Sequence, residues 1–171
     1  MRLIRLRAAL AGLMVVSIFI APPVLAEDDP DIGCALWIVR GEDVSHHGGT
    51  QGDDECRGFK TADVMHGHDG DDLLYSLGSR DIVRGNRGDD LVRGGRKVDL
   101  VGGGKGDDQV AGGRGDDLLV GGIGHDDFCL GPGRNIVRAE DHRRDRIFGA
   151  GSNDRLFLDP GDRLLERHCP F

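Results

Sequence analysis

Ten consecutive nine-residue units run without a gap from Gly49 to Arg138, and no other feature limits the possible folds as much. Aligned from Gly49 they read GTQGDDECR, GFKTADVMH, GHDGDDLLY, SLGSRDIVR, GNRGDDLVR, GGRKVDLVG, GGKGDDQVA, GGRGDDLLV, GGIGHDDFC and LGPGRNIVR. Position six is Asp in nine of the ten, and position eight is apolar in all of them, from Cys56 and Met65 to Phe128 and Val137. After a one-residue slip at Ala139 the frame resumes weakly, with Asp145 and Ile147, then Asp154 and Leu156. A short fixed period of this kind marks a stacked architecture in which each unit packs only on its neighbours.

The first six positions of a unit are rich in Gly and Asp, which favour turns over helix or packed strand. The last three are β-like, so each unit is expected to be a loop followed by a short strand. Stacking then gives a parallel solenoid with position eight pointing inward and positions seven and nine pointing out. Composition agrees: 29 glycines in 171 residues and only 5% aromatics exclude an ordinary packed globule. One inward side chain per nine residues is too little apolar burial to offset ordering nine backbones, so some other source of cohesion is expected.

These units, written GGxGxDxUx with U a large apolar residue, resemble the RTX, or hemolysin-type, calcium-binding repeat. The resemblance implies an all-β fold, a parallel β-roll, that is, a two-sheet solenoid whose consecutive strands alternate between the sheets. It also implies that a full turn takes two units and that Ca2+ lies between loops one turn apart, held by position-six carboxylates and loop carbonyls. The chemistry is consistent with this. Calcium takes about six to eight oxygen ligands at roughly 2.3–2.6 Å, and adjacent strands lie about 4.8 Å apart, so one ion can bridge two stacked loops. The chain is then expected to stay loose at low calcium and to fold when the ion binds.

Because stacked loops belong to alternate units, the two edges of such a roll are not equivalent. The first edge has GTQGDD, GHDGDD, GNRGDD, GGKGDD and GGIGHD, with Asp54, Asp72, Asp90, Asp108 and Asp126 at position six. Its gaps are expected to hold about four calcium ions. The second has GFKTAD, SLGSRD, GGRKVD, GGRGDD and LGPGRN, where position four varies from Thr61 through Lys97 to Gly133 and position six ends as Asn135. Zero or one ion is expected there, between Asp99 and Asp117.

On the outer face that follows the second edge, position seven is Val64, Ile82, Leu100, Leu118 and Ile136, an apolar ladder. An apolar stripe of this length usually marks a contact. The C-terminal segment, with Ile147, Phe148, Phe157, Leu158, Leu164 and Leu165, is expected to fold back over it; dimerisation or a partner is the other possibility.

Residues 1–26 carry three arginines, an apolar run from Ala8 to Ile20 and a small-residue ending at Ala26, the pattern of a secretory signal peptide. The chain thus divides into the signal, an N-terminal cap at 27–48, the repeats at 49–138, and degenerate repeats with a C-terminal cap at 139–171. A secreted or extracellular location, the cell envelope included, permits disulfides. Cys34, Cys56, Cys129 and Cys169 allow three pairings, of which Cys34–Cys56 and Cys129–Cys169, linking the short caps, is favoured. The N-terminal signal departs from the family's best-known members, which resemble cargo of a one-step exporter read from a C-terminal signal.

A net charge of −8 argues against nucleic acid as a partner, and no stable membrane insertion is expected once the signal is removed. No HExxH, GxSxG, P-loop or EF-hand motif is present, and the segments flanking the repeats are short, so no enzyme is expected. His46, His47, His66 and His68 suggest a transition-metal site, but solvated turn histidines are the plainer expectation. Taken together, the sequence points to a calcium-binding, non-catalytic structural or interaction module. The alternative is a calcium-stabilised surface adhesin or self-assembling component that uses the apolar ladder.

Overall fold

The computed structural model describes residues 34–38, 44–166 and 168–171; the expected signal peptide lies outside them. Each unit supplies one strand, and successive strands enter alternate sheets. The even sheet holds, side by side, β1 (Ala35–Ile38), β2 (Val44–Gly48), β4 (Ala62–Asp69), β6 (Ile82–Arg87), β8 (Leu100–Lys105), β10 (Leu118–Ile123), β12 (Ile136–Ala139) and β14 (Arg155–Leu158). The odd sheet holds β3 (Glu55–Arg57), β5 (Leu73–Tyr75), β7 (Leu91–Arg96), β9 (Gln109–Arg114), β11 (Asp127–Cys129), β13 (Arg146–Phe148) and β15 (Arg163–Leu165). The fold is therefore the parallel solenoid that the period predicts, in the all-β, two-sheet form that the resemblance implies.

Register follows from the period. Leu100 pairs with Leu118 and Leu91 with Gln109, each eighteen residues apart, which is two units per turn. From β11 to β13 and from β12 to β14 the shift becomes nineteen, as in Asp127 with Arg146 and Ile136 with Arg155, so the loop after β12 absorbs the slip at Ala139. Position eight forms the core in single file: Met65, Leu74, Val83, Val92, Val101, Val110, Leu119, Phe128 and Val137 are all fully buried. Positions seven and nine face outward, as in the half-buried Leu91 and Arg93 that flank Val92.

Several strands run longer than the expected three residues. β7, for example, continues from position nine through Gly94 and Gly95 to Arg96, because each backbone group there meets its equivalent one turn away. Position one is thereby turned inward beside position eight, and Gly94, Gly103 and Gly112 are buried.

At the N-terminal end the roll begins before the repeats do. The segment expected only to cap the first unit contributes β2, a strand of the even sheet parallel to β4, and β1 adds antiparallel at its edge. Both favoured disulfides form, Cys34–Cys56 and Cys129–Cys169, with Cα atoms 5.5 Å and 5.6 Å apart, one near each end.

The C-terminal expectation is overturned. Phe157 and Leu158 lie in β14, and Leu164 and Leu165 in β15, each extending its own sheet by one parallel strand. The segment continues the coil instead of folding back, because its frame, though weak, still offers Leu156 at a position-eight site against Val137. The ladder stays at the surface: Ile82 is exposed, and Val64, Leu100, Leu118 and Ile136 are half-buried.

Candidate metal centre

Where the loop enters the strand, the chain turns sharply, and position six is drawn into the roll. Asp72, Asp81, Asp90, Asp99, Asp108, Asp117 and Asp126 each expose 2% of their surface or less. One carboxylate oxygen is accounted for in each. Oδ1 accepts the position-six amide of the preceding turn, from Asp54 N–H to Asp72 (2.9 Å), Asp72 to Asp90 (2.9 Å), Asp90 to Asp108 (2.9 Å) and Asp108 to Asp126 (3.0 Å). The second edge repeats this from Asp63 to Asp81, Asp81 to Asp99 and Asp99 to Asp117, all at 2.9 Å.

The other oxygen has no protein donor. Oδ2 of Asp72, Asp90, Asp108, Asp126 and Asp145 on the first edge, and of Asp81, Asp99 and Asp117 on the second, is buried and unpartnered. Burying a charged oxygen without a partner is costly, and a cation is the group that removes the cost. Burial accordingly pushes these carboxyls above the usual range, to about 6 for Asp72 and Asp145, about 7 for Asp90, Asp99 and Asp126, and about 8 for Asp108. The amide donated to Oδ1 opposes the shift, and the carboxylates one turn away add to it.

Space for an ion comes from glycine at position one. A Cβ on Gly67 would collide with Oδ2 of Asp72 and lie 2.7 Å from the Gly85 carbonyl; one on Gly94 would lie 2.7 Å from Asp99 Oδ2 and 2.9 Å from the Gly112 carbonyl. Each such cradle is bounded by its own unit's carboxylate and, at Gly67 and Gly94, by the carbonyl of position one in the next turn, which are hard oxygen donors of the kind calcium prefers. Position four makes the turn itself. Gly88 and Gly106 have φ of 121° and 133°, a region that L side chains rarely adopt.

The residues present therefore fit a calcium ion. Among the described residues no three His, Cys, Asp or Glu side chains converge, which is consistent with one carboxylate per loop and backbone carbonyls as the remaining donors. The seven sequence-predicted aspartates fall into two rows: Asp54, Asp72, Asp90, Asp108 and Asp126 on one edge, Asp99 and Asp117 on the other. Asp54 differs, since its Oδ2 accepts the amide and the hydroxyl of Thr50 within its own loop.

Three features escape a reading of the repeats alone. Asp81 and Asp145 carry the same unpartnered oxygen as their neighbours, although their loops lack the glycine pattern. Position-five aspartates form a second, exposed row, in which Asp53 accepts the amide of Asp71, Asp71 that of Asp89 and Asp89 that of Asp107; the repeated GDD is their signal. His47 is not a solvated turn residue. It is buried at a position-eight site opposite Met65, with Nε2 3.1 Å from Asp63 Oδ1. His66, on the neighbouring strand, is held below the usual imidazole range by burial and by Arg84.

Comparison with curated proteins finds no match, and neither does comparison with solved structures. The family model of the RTX calcium-binding nonapeptide repeat (four copies) matches residues 48–82, 57–92, 66–101, 76–110, 102–137 and 143–165, which together cover more than half of the chain. With the period, the two-sheet roll and the rows of cation-seeking carboxylates in agreement, the chain belongs to the RTX calcium-binding nonapeptide repeat family.

Proposed function

We propose that this protein is an exported, non-catalytic module whose roll folds on binding calcium. The observation that carries this reading is the pair of rows of buried Oδ2 atoms without a donor. About four ions lie between the loops of Asp54, Asp72, Asp90, Asp108 and Asp126, and one between those of Asp99 and Asp117, where Gly94 and Gly112 leave a cradle. The two disulfides support export into an oxidising compartment. Calorimetric titration of the chelator-stripped chain tests the proposal. About four to five ions per chain should bind, with a heat of folding superimposed; no binding at millimolar calcium would contradict it.

A second reading, as an adhesive surface component, gains support from the uncovered ladder on the even sheet. Ile82, Leu100, Leu118 and Ile136 floor a groove of about 660 Å³ whose lining carries both signs of charge, Arg80, Arg134 and Arg155 beside aspartates such as Asp116. An exposed apolar floor of this kind suits a contact with a partner.

A further inference from the structure

Eight of the ten units have glycine at position one; the exceptions are Ser76 and Leu130. Ser76 lies on the second edge, fully buried, in the place where the other units leave a cradle. Its hydroxyl donates to the Gly94 carbonyl at 2.6 Å. That carbonyl is the position-one oxygen of the next turn, the counterpart of Gly85 O beside Gly67 and of Gly112 O beside Gly94. In the same unit burial raises the Asp81 carboxyl above its ordinary value, and the Asp63 amide held by its Oδ1 counters the rise.

We propose that the Ser76 side chain replaces a calcium ion, closing with a neutral hydroxyl the cradle between Asp81 and Gly94 that glycine would leave open to a cation. The proposal rests on reading the position-one cradles as ion sites. Its neighbours on that edge are closed by side chains as well. His47 and the Phe59 amide occupy both oxygens of Asp63. Asn135, which stands where Asp would be, accepts from the Asp117 amide and donates to the Gly131 carbonyl. Asp99 and Asp117, with Gly94 and Gly112, keep the open arrangement between them. One edge is thus built to take ions repeatedly, and the other keeps one open pair of cradles between stretches filled by its own groups.

The test is to count bound calcium by equilibrium dialysis at saturating Ca2+ on the full chain and on Ser76→Gly and Ser76→Ala. Ser76→Gly should bind one more ion per chain than the parent and, in saturating calcium, melt no lower than the parent. Ser76→Ala keeps the Cβ in the cradle, so it should bind no additional ion and melt below the parent in saturating calcium. An unchanged count in Ser76→Gly, its failure to fold in calcium, or an additional ion in Ser76→Ala would overturn the inference while leaving calcium binding by the parent intact. A parent that binds no calcium would overturn the reading beneath it as well.

Discussion

Asp108 condenses the energetics of the whole edge into one side chain: one carboxylate oxygen holds the Asp90 amide, the other holds nothing, and burial pushes its pKa up to about 8. In the calcium-free protein a proton is the substitute for the ion. A carboxyl whose folded pKa is raised contributes stability that is fully present below its unfolded value, near 3.8, and lost as pH rises through its folded value. For Asp72, Asp90, Asp99, Asp108, Asp126 and Asp145 that window runs from about 4 up to about 6–8. In chelator the chain should therefore gain β structure as pH falls from about 8 to about 5, and saturating calcium should remove this dependence, because the ion displaces the protons. Far-ultraviolet circular dichroism at several pH values checks this; β content that rises with pH in chelator would contradict it. The first-edge aspartates were legible in the sequence because every one occupies position six beside glycines. Asp81, Asp145 and His47 were not, since their roles depend on which residues the turn above or below presents, and no local motif encodes that.

Among the elements, the strands follow from the period: an apolar residue at every ninth position fixes what faces inward, whereas the eighteen-residue register, two units per turn, is what the RTX resemblance implies. Strand length does not follow. Gly94 and Gly95 disfavour a strand in isolation, yet they continue β7 because their counterparts Gly112 and Gly113 lie one turn away with matching backbone. The C-terminal strands mislead for a related reason. Phe157 and Leu164 read as residues in need of cover, whereas the degenerate frame keeps them in the coil, where they remain exposed. The outer face of the even sheet is left with its ladder bare and with Arg84, Arg138 and Arg155 on the surface around it. Packing two such faces together would bring these arginines into mutual repulsion. Sedimentation in calcium should show a monomer; a dimer dissociated by Leu100→Glu would assign the ladder to self-association instead.

At the scale of the molecule, the interior is a single file of side chains between two narrow sheets, joined end to end by hydrogen-bonded turns and held near its ends by Cys34–Cys56 and Cys129–Cys169. So thin a core leaves cohesion to the edges, where rows of inward carboxylates oppose folding until their charge is neutralised. In the proposed function calcium is a structural component, and removing it should release the coil. The most direct measurement is the far-ultraviolet circular dichroism of the full chain near pH 7.5, first in chelator and then in millimolar calcium. A largely disordered spectrum that converts to β on adding calcium is the predicted result, and the same β spectrum in both conditions would contradict the account.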